Sequence, residues 1–319
     1  LGDVYKRQTF TDLDGRLLAL KPDVTLSIAK TAQPAPGETL RYYYHENVYR
    51  PSAESHTFQE ISQMGLEMLG AVGEAQVQQA VRLAAQSMAQ LGAAWVLEVS
   101  HMGYLFGLFD ALSVPENARP GLLEKLREKN AHELRRAAQA AGVDAAGAAA
   151  LTGLLELSGS CKETLAKAES ACRNDRMRAA AAELRALAKT LEASGGAVRL
   201  DLSLAGEMEY YNGLVFQGYL QGLPRPLLKG GRYDLLMQKF TPGAGAIGFA
   251  VYLDELDRLS APTPPVQRNS TGRVMLNVAL PKGRLGDKMY DLLARIGYGC
   301  TEDYNATRKL VVENPAAGI

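Results

Sequence analysis

Seven polar residues, in four separate stretches of the sequence, could together bind a small zwitterionic ligand. Carboxylates suit an α-ammonium group, while hydroxyl and amide groups suit the nitrogens of a polar ring. A pocket that adds apolar walls to such groups would accept an amino acid with a polar ring side chain. The seven residues are Asp23, Thr25, Arg50, Gln63, Glu67, Tyr210 and Tyr211.

Spacing decides which of these side chains can lie together. Successive side chains of a strand point to opposite faces, so Gln63 and Glu67, four residues apart, are predicted to share one face. Tyr210 and Tyr211 are adjacent, and within a strand they would point to opposite faces. Only one of the two tyrosines is therefore expected to line the pocket directly. Taken alone, a tyrosine pair is more often sheet packing than a ligand site.

Short β-rich segments separated by turns predict an antiparallel sheet that positions these residues. A helix is predicted after Pro22, an amphipathic helix from Glu74 to Leu91, and a last helix from Ala246 to Leu259. The predicted strands lie in RLLAL, LRYYYHENVYR, ISQMGLEMLG, AWVLEVS, AVRLDLSL and GLVFQGYL.

Other stretches interrupt or follow this sheet. Residues 104–193 are rich in Ala, Leu, Lys and Glu at helical spacing, which predicts an all-helical insertion. KGGRYD, at residues 229–234, predicts either a tight turn with an Arg232–Asp234 pair or a phosphate-binding turn. Residues 260–273 have the Pro, Gly and polar composition of a linker. From residue 274, VMLNVAL, PKGR and the following residues predict one strand–loop–helix unit of α/β type.

Composition excludes several classes of protein. Of 319 residues, 47% are hydrophobic and 22% charged, as in a globular protein with a buried core. Thirty-five basic residues balance 35 acidic ones, so net charge does not favour nucleic acid. No apolar run reaches the roughly 18 residues that cross a membrane. Cys161, Cys172 and Cys300 lack zinc or disulfide spacing, and we expect reduced thiols in a cytoplasmic protein.

Residues 1–8 are interpreted separately. DVYKRQ, at residues 3–8, matches the in-frame translation of a transposon end that is used to prepare sequencing libraries. We interpret residues 1–8 as a sequencing scar and exclude them from the predicted fold.

Four motifs in order resemble the catalytic core of histidyl-tRNA synthetase, a class II synthetase. They are LKPDVT, NVYR with SQMGLE, EMEYYNGLVF, and KGGRYD with AIGFAVYLDEL, and the resemblance covers residues 9–259. It implies an α+β fold with an antiparallel class II sheet and a helical insertion. It also implies a histidine site made by the seven residues above. In the synthetases, the position of Arg50 contacts the α-phosphate of ATP.

Three departures from the synthetase pattern argue against aminoacylation. Gly206 and Glu255 stand where the synthetases carry arginines that activate the histidine carboxylate and bind the triphosphate. A carboxylate facing polyphosphate would repel it. The loop PSAESHTFQE lacks the arginines usual there. The pattern resembles instead the regulatory subunit of ATP phosphoribosyltransferase, which implies a histidine-sensing domain for the first step of L-histidine biosynthesis.

Residues 274–319 resemble the start of the short-form catalytic subunit of the same transferase, an α/β domain like a periplasmic binding protein. The resemblance implies that Lys282, Gly283, Arg284 and Arg308 line a pocket for ATP and phosphoribosyl pyrophosphate. No loop of the kind that holds ribose phosphate with Mg²⁺ occurs before Ile319. We therefore expect a regulatory–catalytic fusion fragment, cut at both ends and itself inactive. Mg²⁺ is expected for the complete enzyme, with no metal site in this chain.

Two alternatives stay open. One is a true histidyl-tRNA synthetase, a ligase, and the other is a ligand-free scaffold that only holds transferase subunits together. The favoured interpretation predicts L-histidine as effector, and ATP and phosphoribosyl pyrophosphate as ligands of the complete enzyme. It also predicts a homo- or hetero-oligomer, with no tRNA and no membrane as partner.

Overall fold

The structure is a computed structural model, and it describes residues 9–51, 57–192, 198–206, 210–260, 290–291 and 294–295. The chain divides into two units, Leu1–Leu259 and Ser260–Ile319. Nearly all described residues belong to the first unit. The predicted scar lies outside the described residues, as does almost all of both the predicted linker and the predicted catalytic segment.

Eight of the ten described strands form one sheet at the centre of the first unit. Their order across the sheet is β3-β4-β10-β9-β8-β5-β7-β6, while β1 and β2 form a separate hairpin. The strands are β1 (Thr9–Thr11), β2 (Leu17–Ala19), β3 (Thr39–Pro51), β4 (Phe58–Gly70), β5 (Trp95–His101), β6 (Ser158–Ser160), β7 (Val198–Asp201), β8 (Leu214–Leu220), β9 (Leu228–Arg232) and β10 (Gly245–Tyr252).

Ten α-helices are described, and α3 to α8 occupy the stretch for which a helical insertion is predicted. The short strand β6 interrupts them and extends the sheet. None of the described helices is long and apolar enough to cross a membrane. The helices are α1 (Thr25–Thr31), α2 (Glu74–Ala89), α3 (Met102–Ala111), α4 (Arg119–Arg127), α5 (Ala131–Ala140), α6 (Ala145–Gly153), α7 (Cys161–Ser170), α8 (Asp175–Glu192), α9 (Asp234–Gln238) and α10 (Leu253–Ser260).

The sheet is mixed, which corrects the prediction of an antiparallel sheet. β5 and β7 pair in parallel, whereas the other neighbouring strands pair antiparallel. A parallel pair requires a long crossover connection. Helices α3 to α8 lie between β5 and β7 in the chain and provide it. Alternation within a strand does not show its direction relative to a neighbour, so the sequence could not reveal this pair.

The predicted helix from Ala246 to Leu259 is wrong over its first half. Gly245–Tyr252 is the strand β10, and only Leu253–Ser260 is helical. β10 lies between β4 and β9, so both of its edges are hydrogen-bonded within the sheet. Ala246 to Phe249 are all buried, so both faces of the strand are covered. Such a strand reads as a continuous apolar run, which cannot be distinguished from a buried helix by its periodicity.

KGGRYD does not form the predicted turn. Lys229 to Arg232 belong to β9, which pairs with β8 and β10, and Asp234 begins α9. The predicted ion pair is present, with Arg232 Nε 2.7 Å from Asp234 Oδ2. The two glycines serve close packing instead of a turn. A Cβ at Gly230 would lie 2.5 Å from Cζ of Phe216, and Gly231 faces Tyr211 in the same way.

The core of the first unit lies between the sheet and its helices. The amphipathic α2 buries Ala80, Val81, Ala84 and Met88 on one face. A run of buried residues in α3 makes that helix apolar on all sides, as expected for a helix enclosed by other elements. One continuous core thus joins the sheet to the inserted helices.

Candidate functional site

A cavity of about 620 Å³ lies among the start of α1, the strands β3, β4, β8, β9 and β10, and the segment before β8. Its volume is in the range of small-molecule sites. The structure brings all seven residues of the predicted histidine site to this cavity. They are Asp23, Thr25, Arg50, Gln63, Glu67, Tyr210 and Tyr211.

Glu67 is the most buried acidic group of the cavity, with 2% of its surface exposed. The Thr25 hydroxyl donates to Oε1 and the Tyr233 hydroxyl donates to Oε2, each at 2.5 Å. Burial raises the pKa of the Glu67 carboxyl to about 8, because its effect outweighs that of the two hydrogen bonds. The carboxyl is thus largely protonated at neutral pH while no cation lies beside it.

Two glycines make room for this arrangement. Gly248 pairs with Glu67 across β10 and β4, and a Cβ at Gly248 would overlap Oε2 of Glu67. A Cβ at Gly65 would overlap the ring of Tyr44, which also lines the cavity. The carboxyl and the phenol can therefore lie directly against the backbone of the sheet.

Asp23 and Arg50 form a partly buried pair at another part of the cavity wall. Asp23 Oδ1 accepts a hydrogen bond from the backbone N–H of Leu26 at 2.7 Å, which places the carboxylate at the start of α1. Arg50 Nη2 donates to Asp23 Oδ2 at 3.4 Å, and Arg50 Nε donates to the carbonyl of Pro22 at 3.1 Å. Much of the charge of each group is thus offset by the other.

Gln63 and Glu67 both line the cavity, which confirms that they share a face of β4. Gln63 is 3% exposed, and its Nε2 has no hydrogen-bond partner among the described residues. A buried polar group without a partner costs about 1–3 kcal/mol. A ligand with a suitably placed acceptor would remove that cost.

Both tyrosines line the cavity, so the prediction that only one would do so is wrong. They precede β8, and strand alternation does not apply to them. Their rings meet edge to face, with centroids 4.8 Å apart. Tyr211 lies between two glycines, since a Cβ at Gly206 or at Gly231 would come within 2.6 Å of a ring carbon.

Two of the three departures from the synthetase pattern, Gly206 and Glu255, have different surroundings. Gly206 lines the cavity, and the ring of Tyr211 fills the space that a side chain at Gly206 would need. Glu255 lies in α10 and is not among the residues that line the cavity. Its Oε2 is 3.3 Å from Arg258 Nη1, an ion pair without hydrogen-bond geometry.

The sequence interpretation missed several further residues of the cavity, among them Tyr233, Tyr44, Lys229 and Arg127. Tyr233 is part of KGGRYD, and Tyr44 follows the strand period of LRYYYHENVYR, so both motifs held a signal. Lys229 belongs to the same KGGRYD motif. Arg127 comes from α4, and no local pattern connects it with the cavity that it lines.

The remaining predicted residues cannot be placed. Lys282, Gly283, Arg284 and Arg308 lie outside the described residues. Within the described ranges, no group of three or more His, Cys, Asp or Glu side chains could hold a metal ion.

Comparison with known proteins connects this chain and its fold with one family. The family model described as histidyl-tRNA synthetase matches residues 3–256. An ATP phosphoribosyltransferase regulatory subunit from Moorella thermoacetica is 32% identical over 274 residues, which cover 83% of this chain and 69% of that protein. One from Symbiobacterium thermophilum is 33% identical and covers 80% of this chain and 64% of that protein. The chain thus spans about two thirds of the length of these curated relatives.

Solved structures agree with the fold. An ATP phosphoribosyltransferase regulatory subunit/histidyl-tRNA synthetase from Bacillus halodurans superposes with a TM-score of 0.70 at 30% identity, covering 80% of this chain and 68% of that chain. An ATP phosphoribosyltransferase complex from Thermotoga maritima gives 0.62 at 19% identity, covering 76% of this chain and 84% of that chain, a likeness of fold alone. The mixed sheet with its helices is therefore of the class II synthetase type, and the chain belongs to the histidyl-tRNA synthetase family, which includes regulatory subunits of ATP phosphoribosyltransferase.

Proposed function

We propose that the chain is a regulatory subunit of ATP phosphoribosyltransferase and binds L-histidine in the cavity around Glu67. It would sense the end product of the pathway and lower the activity of a catalytic partner. That partner would join ATP and phosphoribosyl pyrophosphate to give phosphoribosyl-ATP and pyrophosphate. The observation that carries the proposal is that Glu67, a buried carboxyl, and Gln63, a buried amide whose Nε2 has no partner among the described residues, lie on the same face of β4 in one cavity.

The other groups of the cavity suit the same ligand. Asp23 and Glu67 supply carboxylates for an ammonium group, and Gln63 and the hydroxyls near Glu67 supply partners for ring nitrogens. Val215, Phe216 and Phe249 add apolar walls. A polar ring would therefore be enclosed by apolar surface while its nitrogens stay hydrogen-bonded.

Aminoacylation fits the site less well, although the family also contains synthetases. Activating an amino acid with ATP needs positive groups beside the carboxylate and the phosphates. At Gly206 the space is taken by Tyr211, and Arg50 is already paired with Asp23. Pyrophosphate exchange that depends on histidine and ATP would contradict the proposal and support a ligase.

Feedback requires that histidine in this cavity shifts the conformational equilibrium of the catalytic subunit. Such coupling is typically about 1–3 kcal/mol, which corresponds to a 5- to 150-fold effect. We expect histidine to inhibit the assembly of this chain with a short-form catalytic subunit. Glu67→Gln should raise the histidine concentration for half-inhibition at least about tenfold, because a charged hydrogen bond is lost.

A matched control separates a sensor from a scaffold. Glu60 lies on the same strand and is exposed, so Glu60→Gln should leave inhibition unchanged. Sedimentation should show that both variants still assemble with the catalytic subunit. If calorimetry detects no histidine binding to the wild-type assembly, the sensor is excluded and a scaffold role remains.

We also propose that residues 274–319 begin a catalytic segment, with Lys282, Gly283, Arg284 and Arg308 at a pocket for ATP and phosphoribosyl pyrophosphate. Support comes from the LPKGRL and RKLV motifs, in that order. Mg²⁺ would then belong to the complete enzyme. Genomic DNA that continues in frame after Ile319 into the rest of that catalytic domain is the expected result. An unrelated continuation would refute the fusion without affecting the proposed histidine site.

A further inference from the structure

We infer that Arg127, which ends α4 in the helical insertion, binds the carboxylate of the amino-acid ligand; this inference rests on the proposed function. A zwitterion needs a cation as well as anions in its site. Arg127 reaches the cavity from outside the sheet, and its Nη2 donates a hydrogen bond to the carbonyl of Gly206 at 3.2 Å.

The charges that line the cavity single out this arginine. Asp23 and Glu67 are the acidic side chains among its described lining residues, and both would repel a carboxylate. Arg50 already donates to Asp23 and to the carbonyl of Pro22. The ammonium of Lys229 lies 6.0 Å from the ring centroid of Tyr252. Arg127 has no ion pair with any carboxylate in the described part of the chain.

The chemistry of the guanidinium suits this task. It carries five N–H donors in a planar fork, which matches the two oxygens of a carboxylate. One donor anchors it to the Gly206 carbonyl, and others remain for a ligand. The side chain is exposed before ligand binds, so it can adjust its rotamer without disturbing the core.

The surroundings of Gly206 explain why a residue of the helical insertion would contact the ligand carboxylate. Gly206 has no side chain, and the ring of Tyr211 occupies the space that a side chain there would need. A cation at this wall must therefore come from another element, and α4 supplies Arg127. A ligand held by the strands at one end and by Arg127 at the other would join the helical insertion to the sheet.

The test compares L-histidine with L-histidinol, which has a hydroxymethyl group in place of the carboxylate. Calorimetry would use the assembly of the full chain with its catalytic partner. In the wild type we expect histidine to bind at least about tenfold more tightly than histidinol, as for a charge-assisted bidentate contact. Arg127→Gln should weaken histidine binding to the histidinol level and leave histidinol affinity unchanged. Arg127→Lys should restore part of the difference.

Each outcome decides a separate point. Arg136 on α5 is exposed and pairs with Glu133, so Arg136→Gln is the matched control and should change neither affinity. Unchanged histidinol binding also shows that Arg127→Gln is folded. If Arg127→Gln retains the preference for histidine, or if Lys229→Gln removes it instead, the inference is overturned while the proposed function stands. A wild type that binds no histidine overturns both.

Discussion

Among the residues of the cavity, Glu67 connects ligand binding with pH. Its pKa is raised from 4.5 to about 8, mainly by burial, so the empty site holds a proton at neutral pH. A ligand cation beside the carboxyl favours the ionised form and lowers this pKa. Binding of an amino acid through its ammonium group should therefore displace the proton from Glu67.

We predict that histidine binding at pH 7.5 releases about 0.8 proton per site, because a Glu67 carboxyl with a pKa of about 8 is protonated to that extent before the ligand binds. The ring of free histidine is mostly neutral at this pH and adds little. The release should fall as the pH rises through about 8, because Glu67 is then increasingly ionised before the ligand binds. Calorimetry in phosphate and in Tris, whose ionisation enthalpies differ, measures the number of protons.

Glu67→Gln is the control for this linkage, because a glutamine keeps the shape of the side chain and has no proton to lose. Its binding enthalpy should be nearly the same in both buffers. Equal proton release by the wild type and the variant would show that another group titrates.

At the scale of elements, the alternation of side chains along a strand predicted which residues share a face where the strand has one polar and one apolar face. The spacing of Gln63 and Glu67 predicted that both lie on one face of β4, and this is confirmed because both line the cavity. The helix after Pro22 and the amphipathic helix α2 were predicted for similar reasons, from a breaker and from an apolar stripe. Local sequence patterns suffice to predict an element when only one of its faces is buried.

Local patterns failed where several neighbours enclose an element. β10 is buried on both faces from Ala246 to Phe249, and its apolar run was interpreted as a helix. The glycines of KGGRYD were interpreted as a turn, although the rings of Phe216 and Tyr211 require them. Arg127 stands 79 positions before the Gly206 carbonyl that it contacts, so only the folded chain brings it to the cavity.

At the scale of the whole molecule, the inserted helices and the sheet share one core. Leu97 and Val99 of β5 belong to the same buried cluster as Leu105 of α3 and Leu184 of α8. Removing the insertion would therefore expose apolar surface of the sheet. This shared core favours unfolding of the described part of the first unit in a single cooperative step.

Tyr104 tests this cooperativity. It is 1% exposed, and its hydroxyl donates to the carbonyl of Ala168 in α7 at 2.8 Å, within the insertion. We expect Tyr104→Phe to lower the free energy of unfolding by about 1 kcal/mol, the usual value for one such hydrogen bond. Urea titrations should be followed by far-ultraviolet circular dichroism, which reports on the helices, and by the fluorescence of Trp95, the single tryptophan of the chain, in β5.

Both probes should shift to the same lower urea midpoint in Tyr104→Phe, because a change within the insertion destabilises the sheet only if the two unfold together. Tyr43→Phe provides the control, since Tyr43 is 89% exposed on β3 and its variant should keep the wild-type midpoint. If the dichroism midpoint falls while the Trp95 midpoint stays, the insertion and the sheet are separate folding units. A ligand that bridges Arg127 and Glu67 would then bring together two independently unfolding parts, and histidine should draw their transitions toward each other.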